Sequence, residues 1–136
     1  MSDKTCHHIG IFVFDMETMA EFYCHHLGFQ CEREFSCDEQ MMNDLFRINS
    51  ASVVRYLQRG DFRLELFQFK NVRLTPRKGT PAGYNHWTLL VGDKASFCRE
   101  LKNKNVKVIE AVKKDGVVYL LEDPEGNLIE IKEKQK

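Results

Sequence analysis

The chain has 136 residues, 43% of them apolar, and its 20 basic and 20 acidic side chains cancel. That length suits one domain or two small modules sharing a core, and the neutral balance gives no electrostatic reason for a nucleic-acid or anionic-membrane partner. No apolar run approaches about 18 residues, which excludes a spanning helix.

The N-terminal residues lack the apolar core of a signal peptide, so the expected compartment is the cytoplasm. Five cysteines, an odd number with no C-x-x-C spacing, argue against a disulfide framework or a zinc knuckle and suit reduced thiols. Cys24 and Cys98 fall in helical patterns, as small apolar groups.

In chain order, residues 7–14 read as a strand. Ile9, Ile11 and Val13 share one face, and His8, Gly10, Phe12 and Phe14 the other. Asp15 is placed to cap a helix over 16–27, which Gly28 stops. A strand follows at 29–35. The polar, turn-rich stretch 36–49 has room for a short helix near 40–46. Strands at 53–58 and 62–69 meet at Arg59-Gly60-Asp61, a hairpin signal. Residues 70–83, with Pro76, Gly79, Pro81 and Gly83, read as a linker.

The pattern then repeats. A strand at 84–91 leads to Asp93, which caps a helix over about 94–104 with Phe97, Cys98 and Leu101 inward. Strands follow at 106–112, 117–121 and 128–132, the last after the tight turn Asp123-Pro124-Glu125-Gly126-Asn127. The charged tail 132–136 is expected to fray. His8 to Asp15 and His86 to Asp93 span the same interval of seven residues. The predicted fold class is therefore α+β: two βαβββ modules, about 6–69 and 84–134, in a single domain 1–136. They are expected to form a curved eight-stranded sheet with helices outside and a central cleft.

Strand parity sorts the polar residues. His8 lies opposite the helix-facing set of its strand. Leu64 and Leu66 take one face of the fourth strand, so Arg63, Glu65 and Phe67 take the other. Trp87, Leu89 and Val91 pack under the second helix, which leaves His86 with Tyr84 and Thr88. Ile129 and Ile131 pack, which leaves Glu130 with Leu128. Each module thus directs one His and one Glu to the expected cleft, from its first and last strands. An unpartnered buried carboxylate is costly. Two carboxylates converging with two imidazoles suit one divalent cation, among Zn, Ni, Co, Mn and Fe. His7 shares parity with Ile9 and is expected to be structural or exposed. His25 and His26, at a helix C-terminus, receive no catalytic role.

The residues His8-Ile9-Gly10-Ile11 with Asp15, Phe22-Tyr23, Leu27-Gly28-Phe29, Arg63-Leu64-Glu65-Leu66-Phe67, His86 with Asp93, and the run from Asp123 to Glu130 carry a likeness. Over nearly the whole chain the sequence resembles the vicinal oxygen chelate superfamily, which includes glyoxalase I, methylmalonyl-CoA epimerase, extradiol dioxygenases and the antibiotic resistance proteins. The resemblance implies a metal held by His8, Glu65, His86 and Glu130, a set most like that of glyoxalase I. It implies a lyase or isomerase that stabilises an enediolate of a small carbonyl or hydroxyacyl substrate. Glu130 or Glu65 would be the base, with Glu130 favoured.

Glutathione-using members carry an Arg four residues after the first ligand, where this chain has Phe12, so glutathione use is not expected. An epimerase acting on a methylmalonyl-CoA type of substrate is the alternative, and a non-catalytic small-molecule binding or resistance protein is the alternative of another class. Phe12, Phe14, Phe67, Phe69 and Tyr84 are expected to line the cleft, with Arg63, Arg55 and Arg47 available to an anionic group. The expected partners are a small-molecule substrate and a second copy in a homodimer.

Overall fold

The computed structural model describes residues 3–135; Met1, Ser2 and Lys136, the last residue of the expected fraying tail, lie outside them. The chain divides into two compact units, Met1–Pro76 and Arg77–Lys136. The division falls inside the segment read as a linker.

The first unit runs β1 (Ile9–Phe12), α1 (Met16–Leu27), β2 (Gln30–Cys37), α2 (Glu39–Phe46), β3 (Ser52–Arg59) and β4 (Phe62–Phe69). Its sheet has the order β1-β4-β3-β2. β1 lies parallel to β4, and the other pairs are antiparallel. β1 is shorter than expected, so His8 lies just before it. Asp15 caps α1 by accepting from the Thr18 amide at 3.1 Å, and Gly28, at φ 75°, supplies the left-handed residue that ends it. The α1 residues Met19, Phe22, Tyr23 and Leu27 are buried, as are Leu57, Leu64 and Leu66 on the matching parity of β3 and β4.

The opposite face of this sheet is not fully open. Met42 of α2 is buried in a cluster with Val54, Phe67 and Phe69, and Phe35, Cys37, Ile48 and Leu74 pack against it. The first module is therefore a βαβββ unit with a helix inserted between β2 and β3. The insertion covers one end of the face on which Glu65 lies.

The second unit runs β5 (His86–Val91), α3 (Lys94–Asn103), β6 (Lys107–Lys113), β7 (Gly116–Glu122) and β8 (Leu128–Glu133). Its sheet order, β5-β8-β7-β6, repeats that of the first unit, with β5 parallel to β8. Asp93 caps α3 by accepting from the Ser96 amide at 3.0 Å. Cys98, Leu101, Leu121, Ile129 and Ile131 form its buried core. β5 begins at His86, so Tyr84 precedes the strand instead of belonging to it. The fold is α+β, two βαβββ modules whose eight strands are hydrogen-bonded as two four-stranded sheets. No helix among the described residues is long and apolar enough to cross a membrane.

Candidate metal centre

In the first unit the β1–β4 register pairs Gly10 with Glu65. His8 lies two residues before Gly10 and keeps its parity. The His8 Nε2 stands 3.2 Å from Glu65 Oε1, with the two side chains 32% and 13% exposed. The β3–β4 hairpin pairs Tyr56 with Glu65, and the Tyr56 ring meets His8 edge-on at 5.2 Å. Burial, then the adjacent Glu65 carboxylate as hydrogen-bonding and charged neighbour, pushes the Tyr56 phenol up to about 12.

The second unit repeats the arrangement. The β5–β8 register pairs Thr88 with Glu130, and the Thr88 hydroxyl donates to Glu130 Oε1 at 3.2 Å. His86 Nε2 stands 3.7 Å from the same oxygen, with side-chain exposures of 39% and 19%. The turn before β8 is held by the buried Asp123, whose carboxylate accepts from the Glu125 amide, the Asn127 amide and the Asn127 side-chain amide at 2.9 to 3.0 Å. That turn fixes where β8 starts, and so where Glu130 falls.

Two donors about 2.1 Å from one ion lie about 3.0 Å apart at a right angle and about 3.4 Å apart at the tetrahedral angle. The first pair falls within that range and the second is a little wider. Each pair is a nitrogen and an oxygen suited to a borderline divalent cation. The structure thus brings the four expected ligands together as two pairs, one in each unit. Among the described residues no group of three or more His, Cys, Asp and Glu side chains is placed to hold a metal ion.

The residues expected to meet substrate fare differently. Phe12 is 39% exposed and packs edge-on against Phe46, Phe67 and Phe69. Phe67 and Phe69 are buried beneath it. Phe46 of α2, also 39% exposed, extends this aromatic surface; its ring contacts come from an insertion whose docking side the sequence pattern did not reveal. Tyr84 is 96% exposed and outside the strand.

Each of the three arginines makes a bond within the first unit. Arg63 shares the parity of Glu65 but its Nε donates to Glu32 at 2.8 Å. Arg55 lies on the α1 side, bonded to Glu17 and Glu34. Arg47 ends α2 in the left-handed conformation, its guanidinium on the Asn43 and Asp44 carbonyls.

Two partners were missed. His8 Nδ1 lies 2.8 Å from His7 Nδ1, and His86 Nδ1 lies 2.8 Å from Asn85 Oδ1. Both partners precede a strand, His7 ahead of β1 and Asn85 ahead of β5. Their signal was adjacency: a polar residue stands immediately before each histidine.

The model of the Glyoxalase/Bleomycin resistance protein/Dioxygenase superfamily matches residues 5–131. A Bacillus subtilis (strain 168) protein, the uncharacterised YwkD, is 30% identical over 105 residues, which cover 76% of this chain and 74% of YwkD. Among solved structures, a glyoxalase family protein from Bacillus cereus superposes with a TM-score of 0.79 at 15% identity, covering 100% of this chain and 99% of its own. The trypanothione-dependent glyoxalase I of Leishmania major superposes with a TM-score of 0.74 at 22% identity, covering 96% and 87%.

Proposed function

The chain belongs to the Glyoxalase/Bleomycin resistance protein/Dioxygenase superfamily, and from that premise we propose that it is a metal-dependent lyase or isomerase of the glyoxalase I type. The observation that carries the reading is the paired recurrence of one imidazole and one part-buried carboxylate, 3.2 Å apart in one unit and 3.7 Å in the other, at repeat-related positions. The proposed ligands of one divalent ion are His8, Glu65, His86 and Glu130. When bound, the ion would supply Lewis-acid stabilisation of negative charge growing on a substrate oxygen.

The chain's own residues do the rest. Glu130 takes the proton from the hydroxyl-bearing carbon beside the substrate carbonyl and returns it to the former carbonyl carbon, while the hydroxyl proton passes to the former carbonyl oxygen; the Thr88 hydroxyl holds the Glu130 carboxylate in place. Glu65 is the other candidate for this base. The exposed Phe12 and Phe46 rings offer an apolar contact for the substrate's organic group, with Phe67 and Phe69 as the support behind them.

The substrate class is a small compound with adjacent carbonyl and hydroxyl oxygens. Glutathione is disfavoured as co-substrate, because Phe12 stands where glutathione-using members carry an Arg that helps hold the cofactor's carboxylate, and Arg63, a cation on the Glu65 face, donates its Nε to Glu32. A homodimer is the proposed assembly.

The test is Glu130→Gln. The variant should fold as the parent does by circular dichroism and lose metal-dependent deuterium exchange at the substrate carbon by at least about 100-fold, the scale of a general base. An active Glu130→Gln would remove Glu130 from the mechanism.

A further inference from the structure

The residue immediately before each candidate ligand histidine touches the ring nitrogen that faces away from the carboxylate. His86 presents Nε2 to Glu130 at 3.7 Å and Nδ1 to Asn85 Oδ1 at 2.8 Å. An amide oxygen accepts and cannot donate, so His86 Nδ1 must carry the hydrogen. In the neutral ring that leaves Nε2 as a bare lone pair, aimed at the carboxylate. His8 is placed alike, with Nε2 toward Glu65 at 3.2 Å and Nδ1 toward His7 Nδ1 at 2.8 Å. His7 can accept there through its own Nδ1 lone pair if its hydrogen is on Nε2. The His7 ring is braced edge-on by Tyr56 at 5.8 Å.

We propose that Asn85 and His7 are positioning residues: each accepts a hydrogen bond from Nδ1 of the histidine that follows it and thereby holds Nε2 of that histidine toward the paired glutamate. The assignment rests on the metal reading of the same pairs for its purpose, but not for its geometry. Two acceptors facing each other, imidazole nitrogen and carboxylate oxygen, repel until a cation lies between them. Fixing the tautomer in advance removes the cost of choosing it when the ion arrives. Both residues lie just before a strand, His7 ahead of β1 and Asn85 ahead of β5.

Two measurements test this. Long-range proton–nitrogen correlation spectra of histidine-labelled, metal-free protein at pH 8 report each tautomer directly. His8 and His86 should both be Nδ1–H, and Asn85→Ala should erase the preference at His86 alone. Zinc affinity, read by competition with a chromogenic chelator, should fall about 10- to 100-fold in Asn85→Ala. It should largely recover in Asn85→Asp, which keeps an acceptor at the same place.

An Nε2–H tautomer at His86 in the parent protein, or an unchanged zinc affinity in Asn85→Ala, overturns the assignment. A parent protein that binds no zinc contradicts the metal reading instead, and the tautomers still decide the positioning.

Discussion

The Arg55 guanidinium sits 2.7 Å from Glu17 of α1 and 2.8 Å from Glu34 of β2, and so ties three elements of the first unit. Its hydrogen bond, and then its charge, hold the Glu17 carboxyl below the ordinary value of 4.5. A carboxylate depressed in the folded state contributes stability that is complete above its unfolded pKa and is lost as pH falls through its folded one. Arg55→Met should therefore melt below the parent at pH 7, with the gap narrowing as the pH is taken down to 3. Equal gaps at both pH values would show that Arg55 acts by packing alone.

At this scale the pairing of His8 with Glu65 and of His86 with Glu130 was legible, because period-two parity and an internal repeat place each pair without any knowledge of loops. The arginines were not. Glu32 is the extra residue where the β2–β3 register shifts between Cys31 and Arg33, and a bulge re-aims a side chain in a way that alternation does not anticipate. The Glu32 carboxylate reaches Arg63, and the cation expected for the substrate is occupied.

Among the elements, α2 is what the first module has and the second lacks. The sequence suggested a short helix near 40–46, and Glu39–Phe46 forms one, but nothing in its pattern said which sheet face it would cover. Met42 answers this: it is fully buried against Val54, Phe67 and Phe69. Met42→Ala should cost about 2 to 5 kcal/mol, as other large-to-small core changes do, and urea unfolding measures it. A loss under about 0.5 kcal/mol would mean that α2 is not seated on the sheet. Because α2 also carries Phe46, the same variant should disturb the aromatic surface around Phe12. The β–α–β openings were read more securely. Asp15 and Asp93 each cap the helix that follows, by the same bond three residues on, and a cap aspartate before an apolar stripe is a local signal that needs no tertiary partner.

At the level of the whole molecule, two units of the same topology each contribute one imidazole and one carboxylate. Neither pair alone is a closed site, since two donors leave at least half of a divalent ion's coordination unfilled. One ion claimed by both pairs predicts one ion per chain, whereas two independent pairs would take two, weakly. The decisive measurement is the stoichiometry of zinc bound to metal-free protein after equilibrium dialysis, for the parent and for His8→Ala and His86→Ala. The proposal predicts one ion per chain in the parent and loss of that ion in either variant, although the two histidines belong to different units. No bound ion in the parent, or one that survives both substitutions, would contradict it.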